Sequence, residues 1–149
     1  MKAYSKIISV EVYCRDILFH FGDVRSLERT LRKYHTQEQT KAIIELADIA
    51  NNTMCKCVYD QQNNVFVVWL PSLPQSVEDM QFLSHEIFHA VCAIMIGIGV
   101  PLSDDSEEAY AYLTGYITRK VLEAFPISFI HKNQMICTNL TTAKSCGDC

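Results

Sequence analysis

Ser76 to Ile96 is the stretch that most limits what this chain can become. It reads as one helix, and its second half, Ile87 to Ile96, is apolar on every side apart from one histidine. A helix apolar all round must be enclosed by other elements. Polar side chains entering such a helix need partners there, and three sit together at its midpoint: His85, Glu86 and His89. Histidines four apart stand about 40° apart around the helix axis, so both imidazoles can reach the same point in space. Glu86, one residue past the first, can touch a water held at that point without itself taking the metal. Two histidines and a carboxylate around zinc, with the fourth position open to water, form the catalytic rather than the structural pattern of zinc binding. The sequence therefore predicts zinc-assisted hydrolysis, with a peptide bond as the first candidate substrate.

With 149 residues, 49% hydrophobic and 20% charged, the chain has the size of one domain and the composition of a globular one. A net charge of −4, with no Lys/Arg run interleaved with aromatics, gives no sign of a nucleic-acid partner. The first residues, Met1-Lys2-Ala3-Tyr4-Ser5-Lys6, lack the layout of a signal peptide. The uncharged run from Ile87 to Leu102 is shorter than the ~20 apolar residues of a membrane span. The expectation is a cytoplasmic protein with no membrane contact. Seven cysteines, an odd number, point to thiols rather than a disulfide framework. Cys14 and Cys92 read as small core residues. Cys55-x-Cys57 and Cys146-x-x-Cys149 are weak candidates for a second, structural zinc site, against the simpler reading of Cys146 and Cys149 as reactive tail thiols.

Along the chain, Lys6–Val12 and Ile17–Phe19 read as strands joined by a turn near Arg15-Asp16. Asp23 can cap a helix from Val24 to Tyr34, and Thr36 with Gln39 forms a capping box for a second helix reaching Asn51. Lys56–Tyr59 and Val65–Leu70 flank a turn and read as a hairpin. After the His-bearing helix, Gly97–Pro101 is a stop, and a last helix runs from about Asp104 or Ser106 to Ala124. The order lacks a βαβ rhythm, so the expected class is α+β: a small antiparallel sheet packed on the His-bearing helix and the final helix. Residues 1–133 form the expected domain, and 134–149 a flexible cysteine-containing tail.

His85-Glu86-x-x-His89 with eighteen intervening residues before Glu108 resembles the gluzincin metallopeptidases, the group of thermolysin and the zinc aminopeptidases. The run Glu108-Ala109-Tyr110-Ala111-Tyr112-Leu113 is similar to the third-ligand helix of the ImmA/IrrE-type peptidases, and the likeness is to a minimal single-domain version such as occurs in bacteria and phages. It spans roughly Val65 to Leu122. The resemblance implies zinc ligands His85, His89 and Glu108, Glu86 as general base, and Val65–Leu70 as an edge strand along which an extended substrate pairs. The metzincin pattern is absent, since Cys92 and Met95 stand where it needs a glycine and a third histidine. Where the thermolysin group has an aspartate four residues after the third ligand, this chain has Tyr112, and the aminopeptidase signature is missing.

In the chemistry this implies, Glu86 takes a proton from the attacking water and delivers it to the leaving amine. An oxyanion donor is also needed. Tyr112, one helical turn beyond Glu108, is the candidate, with Tyr116 and His131 as alternatives; the simpler reading places these tyrosines in the core with hydroxyls at its rim. His20 and His35 read as ordinary core or surface histidines. The expected function is a zinc endopeptidase acting on a peptide or protein substrate. The competing readings are a zinc-stabilised binding or virion-associated protein with little turnover, and hydrolysis of a non-peptide amide.

Overall fold

The computed structural model describes residues 2–46, 55–60 and 65–127. Four strands form one sheet: β1 (Tyr4–Val10), β2 (Arg15–Phe21), β3 (Lys56–Asp60) and β4 (Val65–Leu70), in the order β1-β2-β4-β3. Helices α1 (Val24–Leu31) and α2 (Gln37–Leu46) lie between β2 and β3 in sequence, and α3 (Val77–Gly97) and α4 (Glu107–Ala124) follow the sheet. The class is α+β, as the sequence suggests. The sheet, however, is mixed rather than antiparallel. β1 and β3 pair antiparallel with their neighbours, but β2 and β4 run parallel, with Phe19 opposite Val68.

Strand alternation divides the core in two. Ile8 and Val10 of β1, Ile17, Phe19 and Phe21 of β2, and Phe66, Val68 and Leu70 of β4 face α3 and α4. Leu18, Val58, Val67 and Trp69 face Leu27 and Leu31 of α1 and Ile43 of α2. β4 is therefore buried on both faces, which is what a continuous run such as Val-Phe-Val-Val-Trp-Leu requires. This corrects the expectation that Val65–Leu70 is an edge strand: β4 is inserted between β2 and β3, and the edge on that side is β3.

The local signals mostly hold. Asp23 caps α1 through Ser26 N, at 2.7 Å, and Thr36 and Gln39 cap each other's backbones at the start of α2. α1 ends at Leu31, short of Tyr34, because turns at Lys33 and Tyr34 replace the helical ladder. The part of the second helix expected beyond Leu46 lies outside the described residues, as do the hairpin turn at 61–64 and the expected tail at 134–149. Cys14 is not a core residue: the chain leaves β1 through a 3₁₀ turn at Glu11–Tyr13, and Cys14 follows it exposed, with φ of 50°. Among the described residues α3 is long and apolar enough to cross a membrane, but Leu83, Ile87, Ala90, Val91, Ile94 and Met95 pack into the core as those of an enclosed helix do.

His20 is fully buried under α1. Ser26 Oγ gives its proton to the Asp23 carbonyl, so it accepts from His20 Nε2 at 2.9 Å, and Nδ1 accepts from Ser5 Oγ at 2.7 Å. Burial holds its pKa down to about 4, against smaller upward pulls from Asp23. The unfolded chain then takes up the proton first as the pH falls. Stability is intact above the ordinary histidine value and is lost as the pH drops from about 6.5 through 4, by roughly 3 kcal/mol in all. Urea unfolding at neutral pH and near pH 4 is expected to show this loss, and His20→Gln to flatten it. An equal loss in both proteins would place the acid-sensitive group elsewhere.

Candidate metal centre

α3 is held in place from its first residue. Ser76 Oγ accepts from Asp79 N at 3.1 Å, and the Asp79 carboxylate accepts from Ser76 N at 3.2 Å, a reciprocal cap. The helix lies over β4 and β3, with α4 beside it. Ile87, Ala90 and Ile94 point to the core, while His85 and His89 lie exposed on one side, along the open edge of the sheet. Glu86 turns inward and is only 5% exposed.

The two histidines meet. Their Nε2 atoms are 3.0 Å apart and the rings stand edge to face, with centroids 4.6 Å apart. Two nitrogens bound to one tetrahedral zinc at 2.0–2.1 Å would be about 3.3 Å apart. The pair is thus already close to the spacing of two ligands on one ion, and the donor types suit zinc.

A cleft of about 330 Å³ opens over them, lined by His85, Glu86, His89 and Ala93 from α3 and by Cys55, Lys56, Cys57 and Tyr59 from the β3 side. Cys55, Cys57 and Tyr59 alternate along the chain and share the face turned to α3. The Tyr59 ring stacks on Phe66, 4.1 Å between centroids, which fixes that wall. Burial first, and then a hydrogen bond to the Glu86 carboxylate and its charge, push the Cys55 thiol up to about 12. Cys57 is also pushed up to about 12, by burial and then by the charges of Glu86 and Cys92. Both stay protonated at neutral pH, and Cys55 supplies a donor to the buried carboxylate.

His85, Glu86 and His89 are therefore brought together. Glu108 is not brought to them: it stands exposed in the first turn of α4 beside Glu107 and does not line the cleft. Among the described residues no three His, Cys, Asp or Glu side chains are grouped closely enough to hold a metal between them. Tyr112 is 77% exposed and lines a separate groove with Tyr13, Leu113 and Tyr116, whose hydroxyl is 3.4 Å from the Ser9 carbonyl. Tyr112 is therefore not the core tyrosine of the simpler reading either; the tyrosine that the core holds on this helix is Tyr110, buried with its hydroxyl donating to the Val100 carbonyl. His131, Cys146 and Cys149 lie outside the described residues, so the second zinc site is not assembled among the described ones.

Sequence reasoning missed Cys55, Cys57 and Tyr59 as walls of the site. Their alternation was legible, but only the placement of β3 under the flank of α3 gives it meaning. In comparisons with known proteins the chain matches no family model, no curated protein and no solved structure.

Proposed function

We propose that the chain is a zinc-dependent peptidase that uses Glu86 as its general base. The observation that carries this reading is the convergence of His85 and His89 Nε2 to 3.0 Å beside a buried carboxylate, at the mouth of a cleft bounded by an open strand edge. His85 and His89 would hold the ion, and the third ligand is either Glu108, which the resemblance implies, or a side chain that lines the cleft. When bound, zinc supplies Lewis-acid activation of water near neutral pH. Glu86 takes the proton of the attacking water and passes it to the leaving amine. The Cys55 thiol donates to Glu86 and orients it. Among the described residues no strand pairs with the outer edge of β3, so the strand-pairing role expected of β4 would pass to β3.

A second ligand set has one observation in its favour: Cys55 lines the cleft that Glu108 does not. Zinc analysis of the purified full chain tests both. One zinc per chain is expected, lost in His85→Ala. A loss in Glu108→Ala with retention in Cys55→Ala supports the carboxylate ligand, and the reverse supports the thiolate. A metal-replete chain that binds no zinc overturns the proposal.

A further inference from the structure

The cleft continues past the two histidines. His85, His89, Ala93 and Gly97 form one row along α3 at four-residue spacing, and the side chains along it shrink from two imidazoles to a methyl group and then to none. We propose that the part of the cleft beyond His89 is the specificity pocket of this site, and that it takes one uncharged, apolar side chain of leucine to phenylalanine size from the substrate residue beside the scissile bond. The inference rests on the zinc-peptidase reading and adds its substrate class.

β3 supplies the opposite wall. The Cys55 thiol meets the Glu86 carboxylate at one end. At the other, a Cβ placed on Gly97 would stand 4.0 Å from the Tyr59 hydroxyl, so β3 and α3 run beside each other in the same sense. Cys57 lies between, on the same face of the strand, and lines the cleft with Ala93. The stack on Phe66 holds the Tyr59 ring in place as a wall. Ala93 is about 6 Å along the helix axis from His89. A side chain one residue away from a carbonyl held at the imidazoles therefore falls between Ala93, Cys57 and Tyr59.

Size and charge narrow the occupant. The cleft of about 330 Å³ is at the lower end of ligand sites, which span about 300–1,000 Å³, so beside the reacting peptide unit there is room for one side chain and no more. Beyond His89 its lining is a methyl group, a thiol and a phenol ring. The Glu86 carboxylate, buried next to this lining, disfavours an acidic side chain. Lys56 stands between Cys55 and Cys57 in the strand, so alternation turns its side chain to the other face, with Val58.

Calorimetry of the zinc-loaded full chain with acetohydroxamate and its isobutyl, benzyl and carboxyethyl analogues is the test, since a hydroxamate binds zinc and carries a side chain without being cleaved. The isobutyl and benzyl forms are expected to bind about tenfold more tightly than acetohydroxamate or better, and the carboxyethyl form no more tightly. Ala93→Leu puts a good helix former at a half-buried position and fills the trough. It should bring the benzyl-to-methyl ratio down to about twofold or less, with zinc content unchanged. A wild-type series that is flat, or led by the carboxyethyl form, overturns the pocket while the metal site stands, and it decides this even where Ala93→Leu fails to fold. A folded Ala93→Leu chain with the wild-type ratio overturns the pocket too. A chain that takes up no zinc, or takes it up and binds none of the four compounds, overturns the peptidase reading and the pocket with it.

Discussion

Glu86→Gln is expected to abolish measurable peptide hydrolysis while leaving the fold and the zinc content unchanged. The substitution keeps the shape of a side chain that is 5% exposed, and an amide oxygen can still accept from the Cys55 thiol. What disappears is the ability to take a proton. A positioned general base contributes about 10²–10⁴ in rate, so the loss should be of that order at least. His85 and His89 stand a residue before and three residues after it and keep their own geometry, with Nε2 atoms 3.0 Å apart. A zinc-loaded Glu86→Gln protein with wild-type turnover on a peptide library would sink the role of Glu86. The same chain with neither activity nor zinc would show instead that Glu86 is needed to assemble the site.

Phe19→Ala should produce the largest loss of stability. Phe19 is fully buried at the centre of β2, with Lys6 on one side of it and Val68 on the other, and it faces the core under α3 and α4. Emptying such a position removes the transfer free energy of the ring and leaves a cavity, together about 3–5 kcal/mol. Domains of this kind have about 5–15 kcal/mol in total. The expected result is a thermal midpoint roughly 10 °C or more below wild type. Phe88→Ala provides the contrast on the His-bearing helix. Phe88 is 42% exposed, and its loss should cost less than about 1 kcal/mol. Similar denaturant midpoints for the two variants would mean that the core is not organised around β2.

The helix that carries the candidate site was legible almost to the residue. Ser76 marks its start and Gly97 its end, because capping and periodicity act within a few residues of chain, but the apolar run is enclosed only on one side, with Phe88 and Ile96 left exposed. The same holds for the Asp23 cap, the Thr36–Gln39 box and the pairing of Lys56–Tyr59 with Val65–Leu70. Cys14 shows where local reading stops. An apolar alternation looked like continuous strand, but the chain turned at Glu11–Tyr13 and left the thiol exposed.

By itself, then, the sequence determined the elements, the long apolar helix and the placing of His85, Glu86 and His89 on neighbouring faces of it, since i, i+1 and i+4 fix direction within one helix. Only the tertiary structure decided what stands across from them. The insertion of β4 between β2 and β3 made β3 the edge and put Cys55, Cys57 and Tyr59 on the cleft wall. The path from Gly97 to Glu107 left Glu108 in the first turn of α4, outside that cleft. Strand order and helix docking follow from which apolar faces bury each other across the whole chain, and no window of neighbouring residues encodes that choice.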